Sequence, residues 1–400
     1  MISFASTDEK KIIMDDEKRI LIGIQMSADG AQITWYNTTL AEPQTLSLPG
    51  EGEDGLMSVP PEAWKGAMRG GRFGTQALAR FLGRMIDTVP GEKQMPDLWI
   101  AITVPSLTQS LGDHLVAALE SLGAERKKIF LQDWRTSFYY YVVSMRRELW
   151  SGDVAFLRVK NQQMIGNILH IDRSVKPGVV TIDEIASADV SERARGGMND
   201  EDWDKERDRR LYELLGKLFE RRNVSTSYLY GNYFDRSWAQ RSFQYLTFRR
   251  HAFQGQNLFS KGACYCVMAR LGYVKMPDLL FMGVDQISED IGIRVRVRGK
   301  EQYQVLIPAG LNWYEAHCQI DMIPDSEKSV TILTTPAEGG ETVGHVLRLD
   351  HFPERENRAT RLRMTIYFTS RNHCEVEVED LGFGGFYQPS GRVWKRQVIL

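Results

Sequence analysis

Two hydrophobic periods follow one another along this chain, and the change from one to the other divides it. Arg19–Ile24 is a dense apolar run and Ala31–Tyr36 alternates, with the Asp-Gly turn signal of Ala28-Asp29-Gly30 between them, so the pair reads as a hairpin of two short strands. Gln44–Leu48 reads as a third strand, and the Gly-, Pro- and Glu-rich stretch Gly50–Gly71 as a loop. Leu78, Phe81, Leu82, Met85, Ile86 and Val89 then recur at intervals of three and four, the period of a helix with one buried face. Leu98–Pro105 is a buried strand stopped by proline. Leu111, Leu115, Leu119 and Leu122 line a helix ended by Gly123. The strand Lys128–Gln132 and the helix Trp134–Leu149 complete the series.

A second series starts at once. Asp153–Val159 and Met164–Asp172 are strands around the turn Lys160–Gln163, and Gly178–Ile185 supplies a third. A helix from Asp200 carries Leu211, Leu214, Leu215, Leu218 and Phe219 inward. Ser225–Gly231 follows as a strand, Asp235–Arg249 as a helix, His251–Gly255 as an edge strand and Asn257–Gly272 as a final helix. Three strands, helix, strand, helix, strand, helix therefore occurs twice. Three antiparallel strands extended by parallel strands with helices on both faces make a ribonuclease-H-like α/β unit. From about Lys275 the period falls to two, over seven or eight segments separated by Gly, Pro, Asp and Asn, which predicts an antiparallel β domain. Its charges in Arg294–Arg298 and Glu375–Glu379 fall on alternate positions, giving each strand a solvated face. The expected division is an N-terminal extension over 1–18, one lobe over 19–152, a second over 153–274 and the β domain over 275–400.

Composition narrows the function classes. A formal net charge of -2 excludes a surface built throughout for nucleic acid. No window nears eighteen consecutive apolar residues, so no membrane partner is expected. Four cysteines in 400 residues cannot form a disulfide framework and read as thiols of a cytoplasmic protein. No His-x-x-x-His, Cys-x-x-Cys or Gly-x-Ser-x-Gly spacing occurs, so neither a metal site nor a catalytic nucleophile is expected from motifs.

Duplicated lobes followed by a β domain resemble the seventy-kilodalton heat-shock chaperones of the actin-like ATPase superfamily. The likeness rests on strings in the family's order. Ile20–Tyr36 stands at its first phosphate hairpin, Ile100–Gly123 at its strand, Val-Pro and helix, and Ile129–Val143 at its Glu-Pro-Thr-Ala-Ala segment, with Asp133 at the Glu. Asp153–Asp172 stands at the second phosphate hairpin, Ser227–Trp238 at the adenosine loop, and Met282–Gly310 at the entry to the substrate-binding sandwich. The resemblance implies a fold of class α/β plus β: tandem actin-like ATPase lobes and an antiparallel β-sandwich.

Against that family the phosphate loops are degenerate. Of Gly-x-Asp-x-Gly-Thr-Thr, Gly23 is kept, while Gln25 stands for the Asp, Ser27 for the next Gly, and Ala28 and Asp29 for the Thr pair. In the second loop Arg158 replaces the Asp, and Lys160, Asn161, Gln162 and Gln163 replace the glycines. A phosphate reaches backbone N–H groups only where no Cβ intervenes, and Mg²⁺ needs hard anionic oxygens, so cradle and metal are lost together. Asp29 and Asp133 are the possible residual carboxylates, but the first reads rather as the turn residue before Gly30 and the second rather as a helix N-cap. Arg158 and Lys160 can hold a phosphate without metal or cap a solvated strand end. In the adenosine loop Gly231 survives, and Asn232 and Tyr233 replace small residues. The expected function is a non-catalytic, chaperone-like pseudo-ATPase without cofactor, binding a protein or peptide, a true heat-shock ATPase relative among the candidates, through its β domain or inter-lobe cleft. Two alternatives are a reduced ATPase still binding ATP with magnesium, and a carbohydrate-binding β domain using Trp313, Tyr314, Tyr367, Tyr387 and Trp394.

Overall fold

The computed structural model describes residues 19–400 apart from 49, 51, 53–54, 325–327 and 338, so the expected extension over 1–18 lies outside the described residues. Chain contacts divide it into two units, one ending at Leu279 and the other beginning at Leu280.

The first unit opens with β1 (Leu21–Met26), β2 (Ala31–Tyr36) and the short β3 (Gln44–Thr45). Helices α1 (Pro61–Arg69) and α2 (Arg72–Asp87) follow, then β4 (Trp99–Val104), α3 (Gln109–Ser121), β5 (Ile129–Asp133) and α4 (Trp134–Ser144). The expected loop at 50–71 therefore contains a helix. Its buried residues are Ala63, Gly66 and Ala67, too small to register as hydrophobic periodicity. A Cβ on Gly66 would stand 2.1 Å from the Gly74 carbonyl oxygen, so the backbones of α1 and α2 touch there.

β6 (Asp153–Lys160), β7 (Gln163–Asp172) and β8 (Gly178–Asp189) begin the second half of the unit. It continues through α5 (Glu192–Arg195), α6 (Asp200–Phe219), β9 (Val224–Tyr230), α7 (Gln240–Thr247), β10 (His251–Gly255) and α8 (Leu258–Arg270), and β11 (Leu279–Phe281) falls on the division at Leu279 and Leu280. The expected helix from Asp235 starts only at Gln240, because Asp235 accepts the Ser237 N–H at 2.7 Å and holds the chain in a turn.

The five-stranded sheet runs β3-β2-β1-β4-β5, and the six-stranded sheet runs β10-β9-β6-β7-β8-β11. In the first, β1–β2 and β2–β3 are antiparallel and β1–β4 and β4–β5 parallel. In the second, β6–β7 and β7–β8 are antiparallel and β6–β9 and β9–β10 parallel. Strand order and direction thus repeat from one sheet to the other, as the order of elements in the sequence implies. Helix α8, last in sequence, packs on β1 and β4 of the first sheet and against α4. A Cβ on Gly262 would stand 2.0 Å from the Ser137 carbonyl oxygen, which fixes how closely α4 and α8 cross.

The second unit is all strand. β12 (Glu289–Val297), β13 (Lys300–Ile307), β14 (His317–Met322), β15 (Ser329–Pro336), β16 (Val343–Arg348), β17 (Leu362–Ser370), β18 (His373–Asp380) and β19 (Val393–Ile399) form two antiparallel sheets, β13-β12-β15-β16 and β14-β17-β18-β19. Alternation is kept: Leu362, Met364, Ile366 and Phe368 are buried on β17 and Cys374, Val376 and Val378 on β18. Arg294 and Arg296 face solvent, and on the open face Lys395 pairs with Glu377 at 2.6 Å. All four cysteines are free.

Candidate functional site

The two hairpins that stand at the phosphate loops are both tight. Between β1 and β2 the Ser27 N–H reaches the Gly30 carbonyl at 2.9 Å, and the Asp29 N–H reaches Ser27 Oγ at 3.1 Å. Ala28 and Asp29 are exposed at the tip. Between β6 and β7, Lys160 pairs directly with Gln163, leaving a two-residue loop of Asn161 and Gln162 at φ 50° and 59°. Positive φ at both positions is the type I′ hairpin geometry, which closes the turn on itself. Lys160 is exposed at the strand end.

Gly23 has a packing role. A Cβ there would meet the Ser260 carbonyl oxygen at 2.2 Å and the Cys264 nitrogen at 2.3 Å, so β1 is bare where the backbone of α8 crosses it. Ser260 donates to Gln32 Oε1 at 2.8 Å and accepts from Thr34 Oγ1 at 2.9 Å, which ties the same helix to β2.

Gln25, buried, donates through Nε2 to the hydroxyl of Tyr230, at the end of β9. This bond joins the first strand of one sheet to a strand of the other. Behind it lies an aromatic cluster drawn from four elements. Phe156 sits 5.4 Å from Trp134, 4.6 Å from Phe138, 5.7 Å from Phe259 and 6.3 Å from Tyr230, and Tyr230 lies 4.6 Å from Phe259. Each pair lies in the range where offset or edge-on rings attract. Trp134, Phe138, Phe156 and Phe259 are all buried, so side chains of the protein itself pack this junction.

Asp133 caps α4. Its Oδ1 accepts the Thr136 N–H at 2.9 Å and the Thr136 hydroxyl at 2.8 Å, and its Oδ2 lies 3.4 Å from Arg135 Nη1. Both oxygens of the candidate residual carboxylate are therefore engaged. Arg158 stands over the Trp134 ring at 4.1 Å, and Arg135 over the same ring at 4.6 Å. Burial lowers the Arg158 pKa to about 10 and the Arg135 charge pushes it the same way, against Glu184, Asp133 and Tyr230. Trp134, Arg135, Phe138, Phe156, Tyr230 and Phe259 are the residues of this junction that sequence reasoning missed. Trp134 and Arg135 directly follow Asp133, so only their composition marked them.

The adenosine-loop positions are structural as well. Gly231 has φ 87°, which admits glycine most readily, and its carbonyl accepts Gln254 Nε2 at 3.0 Å. Asn232 bonds Gln256 through its side chain. Tyr233 packs edge-on against Phe234 at 5.7 Å and Trp238 at 5.5 Å, and burial raises its pKa. Among the described residues the two halves meet at Gly23 against α8 and at Gln25, Tyr230 and the aromatic cluster, while Asp29, Lys160 and Asn161 stand at exposed hairpin tips. Among the described residues no group of three or more metal-ligating side chains converges, and no helix is long and apolar enough to cross a membrane.

Of the aromatic residues suggested as a sugar platform, Trp313 and Tyr314 pack edge-on at 5.7 Å. Trp313 and Trp394 are buried, and the Trp394 indole donates to the Asp350 carbonyl at 2.9 Å, so these rings belong to the interior.

Residues 14–284 match the Family of unknown function (DUF5716) C-terminal, and residues 286–400 match the Domain of unknown function (DUF8552). No curated protein matches the chain. Among solved structures it is similar to the inorganic polyphosphate/ATP-glucomannokinase of Arthrobacter sp. strain KM, at 12% identity and TM-score 0.36, over 63% of this chain and 99% of that one. A Bacteroides thetaiotaomicron protein with actin-like ATPase fold and unknown function matches at 12% identity and TM-score 0.32, over 66% of this chain and 100% of that one. The ROK hexokinase of Thermus thermophilus matches at 12% identity and TM-score 0.34, over 63% and 99%. None of these three is a heat-shock chaperone, and the narrower resemblance drawn from the sequence is not carried by them.

Proposed function

We propose, for a chain that belongs to the Family of unknown function (DUF5716) C-terminal, that it is a pseudo-ATPase: two actin-like lobes without nucleotide chemistry, followed by a β-sandwich, acting by binding protein partners. The strand order β3-β2-β1-β4-β5 of the first sheet recurs as β8-β7-β6-β9-β10 in the second, where β11 is added beside β8, and this repeat supports the tandem lobes. One observation carries the loss of chemistry. Where a nucleotide would need open space, Gln25 bonds Tyr230 across the junction, and Trp134, Phe138, Phe156 and Phe259 fill the volume behind it. Expelling that cluster would expose several buried aromatic rings, each worth roughly 2–3 kcal/mol of burial. Two further losses act in the same direction. The tight β6–β7 turn offers no glycine-lined cradle, and Asp133 spends both oxygens on its own helix and Arg135.

A scaffold kept without its chemistry is most simply an interaction surface, which is an argument by analogy from fold to role. Titration of the full chain with Mg-ATP, followed by melting temperature and calorimetry, tests the first half of the proposal. No saturable heat and no Mg-dependent stabilisation are expected, and a saturable Mg-dependent rise in melting temperature overturns it. Affinity purification from the native cell with mass spectrometry then tests the second half, with a stoichiometric protein partner expected. Recovery of the chain alone under cross-linking overturns that half.

A further inference from the structure

Arg158 is a charged group that the proposed function leaves unused. Its guanidinium lies on the Trp134 ring, its Nε is buried without a hydrogen-bond partner, and no carboxylate pairs with it among the described residues. Arg135 shares the same indole, and its Nε is also buried and unpartnered. Gln25 Nε2, which donates to the Tyr230 hydroxyl, borders the same junction. Tyr230 is itself the β9 residue in register with Arg158.

A guanidinium carries five N–H donors in its plane, and a ring face attracts the cation without accepting those donors. Buried donors left unpaired are costly, so native structures rarely keep them without a ligand or ordered water. Both arginines are half-buried, with Nε the buried nitrogen in each, and Arg135 already turns Nη1 toward Asp133 Oδ2 at 3.4 Å.

We propose that Arg158 and Arg135 form a metal-independent site for a small oxyanion of phosphate size. The planar fork of arginine matches two oxygens of such an anion at once, and two forks on one indole hold it by charge where no carboxylate is free to hold a cation. Glu184 acts on Arg158 only through charge, and Asp133 is committed to the α4 cap and to Arg135. This inference goes beyond the proposed function, because it needs neither a protein partner nor a space for adenosine. The anion comes either free, as inorganic phosphate, or as the phosphoryl group of a nucleotide.

The full chain is titrated with inorganic phosphate and, separately, with ADP, both in EDTA, while melting temperature and tryptophan fluorescence are read. A saturable response to phosphate is expected, with a rise of about 3 °C or more at a hundredfold excess over Kd. Arg158→Met keeps an apolar chain over Trp134 and removes the cation. Phosphate should bind it at least tenfold more weakly, while without phosphate it should melt at or above the wild-type temperature, since no unpaired charge is left buried. A role in packing alone predicts the opposite: a lower melting temperature in the variant and no phosphate response in the wild type, which overturns the site. An equal phosphate response in both proteins overturns it too, as does binding that requires Mg²⁺. ADP no tighter than phosphate assigns the free anion. ADP tenfold tighter keeps the oxyanion site and overturns the pseudo-ATPase reading, so the two proposals fail separately.

Discussion

Gly23 and Gly231 look alike in sequence, as two glycines left over from nucleotide loops, yet they are kept for different physical reasons. At Gly23 the obstacle is steric, because the Ser260 oxygen and Cys264 nitrogen are backbone atoms of a packed helix and cannot swing aside. At Gly231 nothing lies within 4 Å of an added Cβ, and only the backbone angle, φ 87°, disfavours a side chain. Gly23→Ala should therefore cost about 3 kcal/mol, the upper range for overpacking a core. Gly231→Ala should cost about 1 kcal/mol, the price of a left-handed non-glycine residue. Urea unfolding midpoints at constant slope check both, and equal costs would mean that α8 does not press on β1 as described.

At the scale of elements, the two-residue loop of the β6–β7 hairpin makes a separate prediction. Asn161 suits the first position of a type I′ turn, but Gln162 at φ 59° does not suit the second, where glycine is preferred. Gln162 is exposed, and its backbone carbonyl, which accepts the Val190 N–H at 2.8 Å, is unaffected by substitution. Gln162→Gly should raise stability by about 0.5–1 kcal/mol. A loss in thermal or urea unfolding would show that the glutamine side chain itself is used. This hairpin was legible in sequence because its signals are local, as were the order of strands and helices and the period-two grammar of the second unit. Helix α1 was not, because it buries alanine and glycine against glycine and leaves no large apolar stripe. The start of α7 was hidden for another reason. Its Arg241 and Ser242 N–H groups are capped at 3.1 and 3.0 Å by Asp208, which belongs to α6. The filled junction was illegible in the same way. Trp134, Phe156, Tyr230 and Phe259 lie on four separate elements far apart in sequence, and only the tertiary fold brings them together.

For the whole molecule, acid is the condition that should tell its two units apart, and Arg355 with Asp380 is the reason. The pair is bidentate at 2.8 and 2.8 Å, with side-chain exposures of 6% and 0%, and it lies in the unit beginning at Leu280. Burial alone would raise the Asp380 pKa, but hydrogen bonds from Arg355, from Ser390 and from the Gly382 N–H outweigh it and hold the carboxyl well below its ordinary value. The folded pKa is therefore below the unfolded one, and the unfolded chain binds more protons in moderate acid. The resulting stability is fully present above the unfolded pKa of about 4 and is lost as pH falls toward the folded value. Asp380→Asn should cost about 3 kcal/mol at pH 7, because it leaves Arg355 buried without its anion, and should flatten the decline below pH 4. Melting curves of the full chain between pH 7 and pH 3 measure the slope, and pulsed hydrogen exchange places the loosening along the chain. Wild-type loosening in acid should begin within residues 280–400 and spread least to the strands of the first unit. Loosening that begins in β1 or β6, or a variant that keeps the wild-type slope, would mean that this pair does not set the acid limit of the protein.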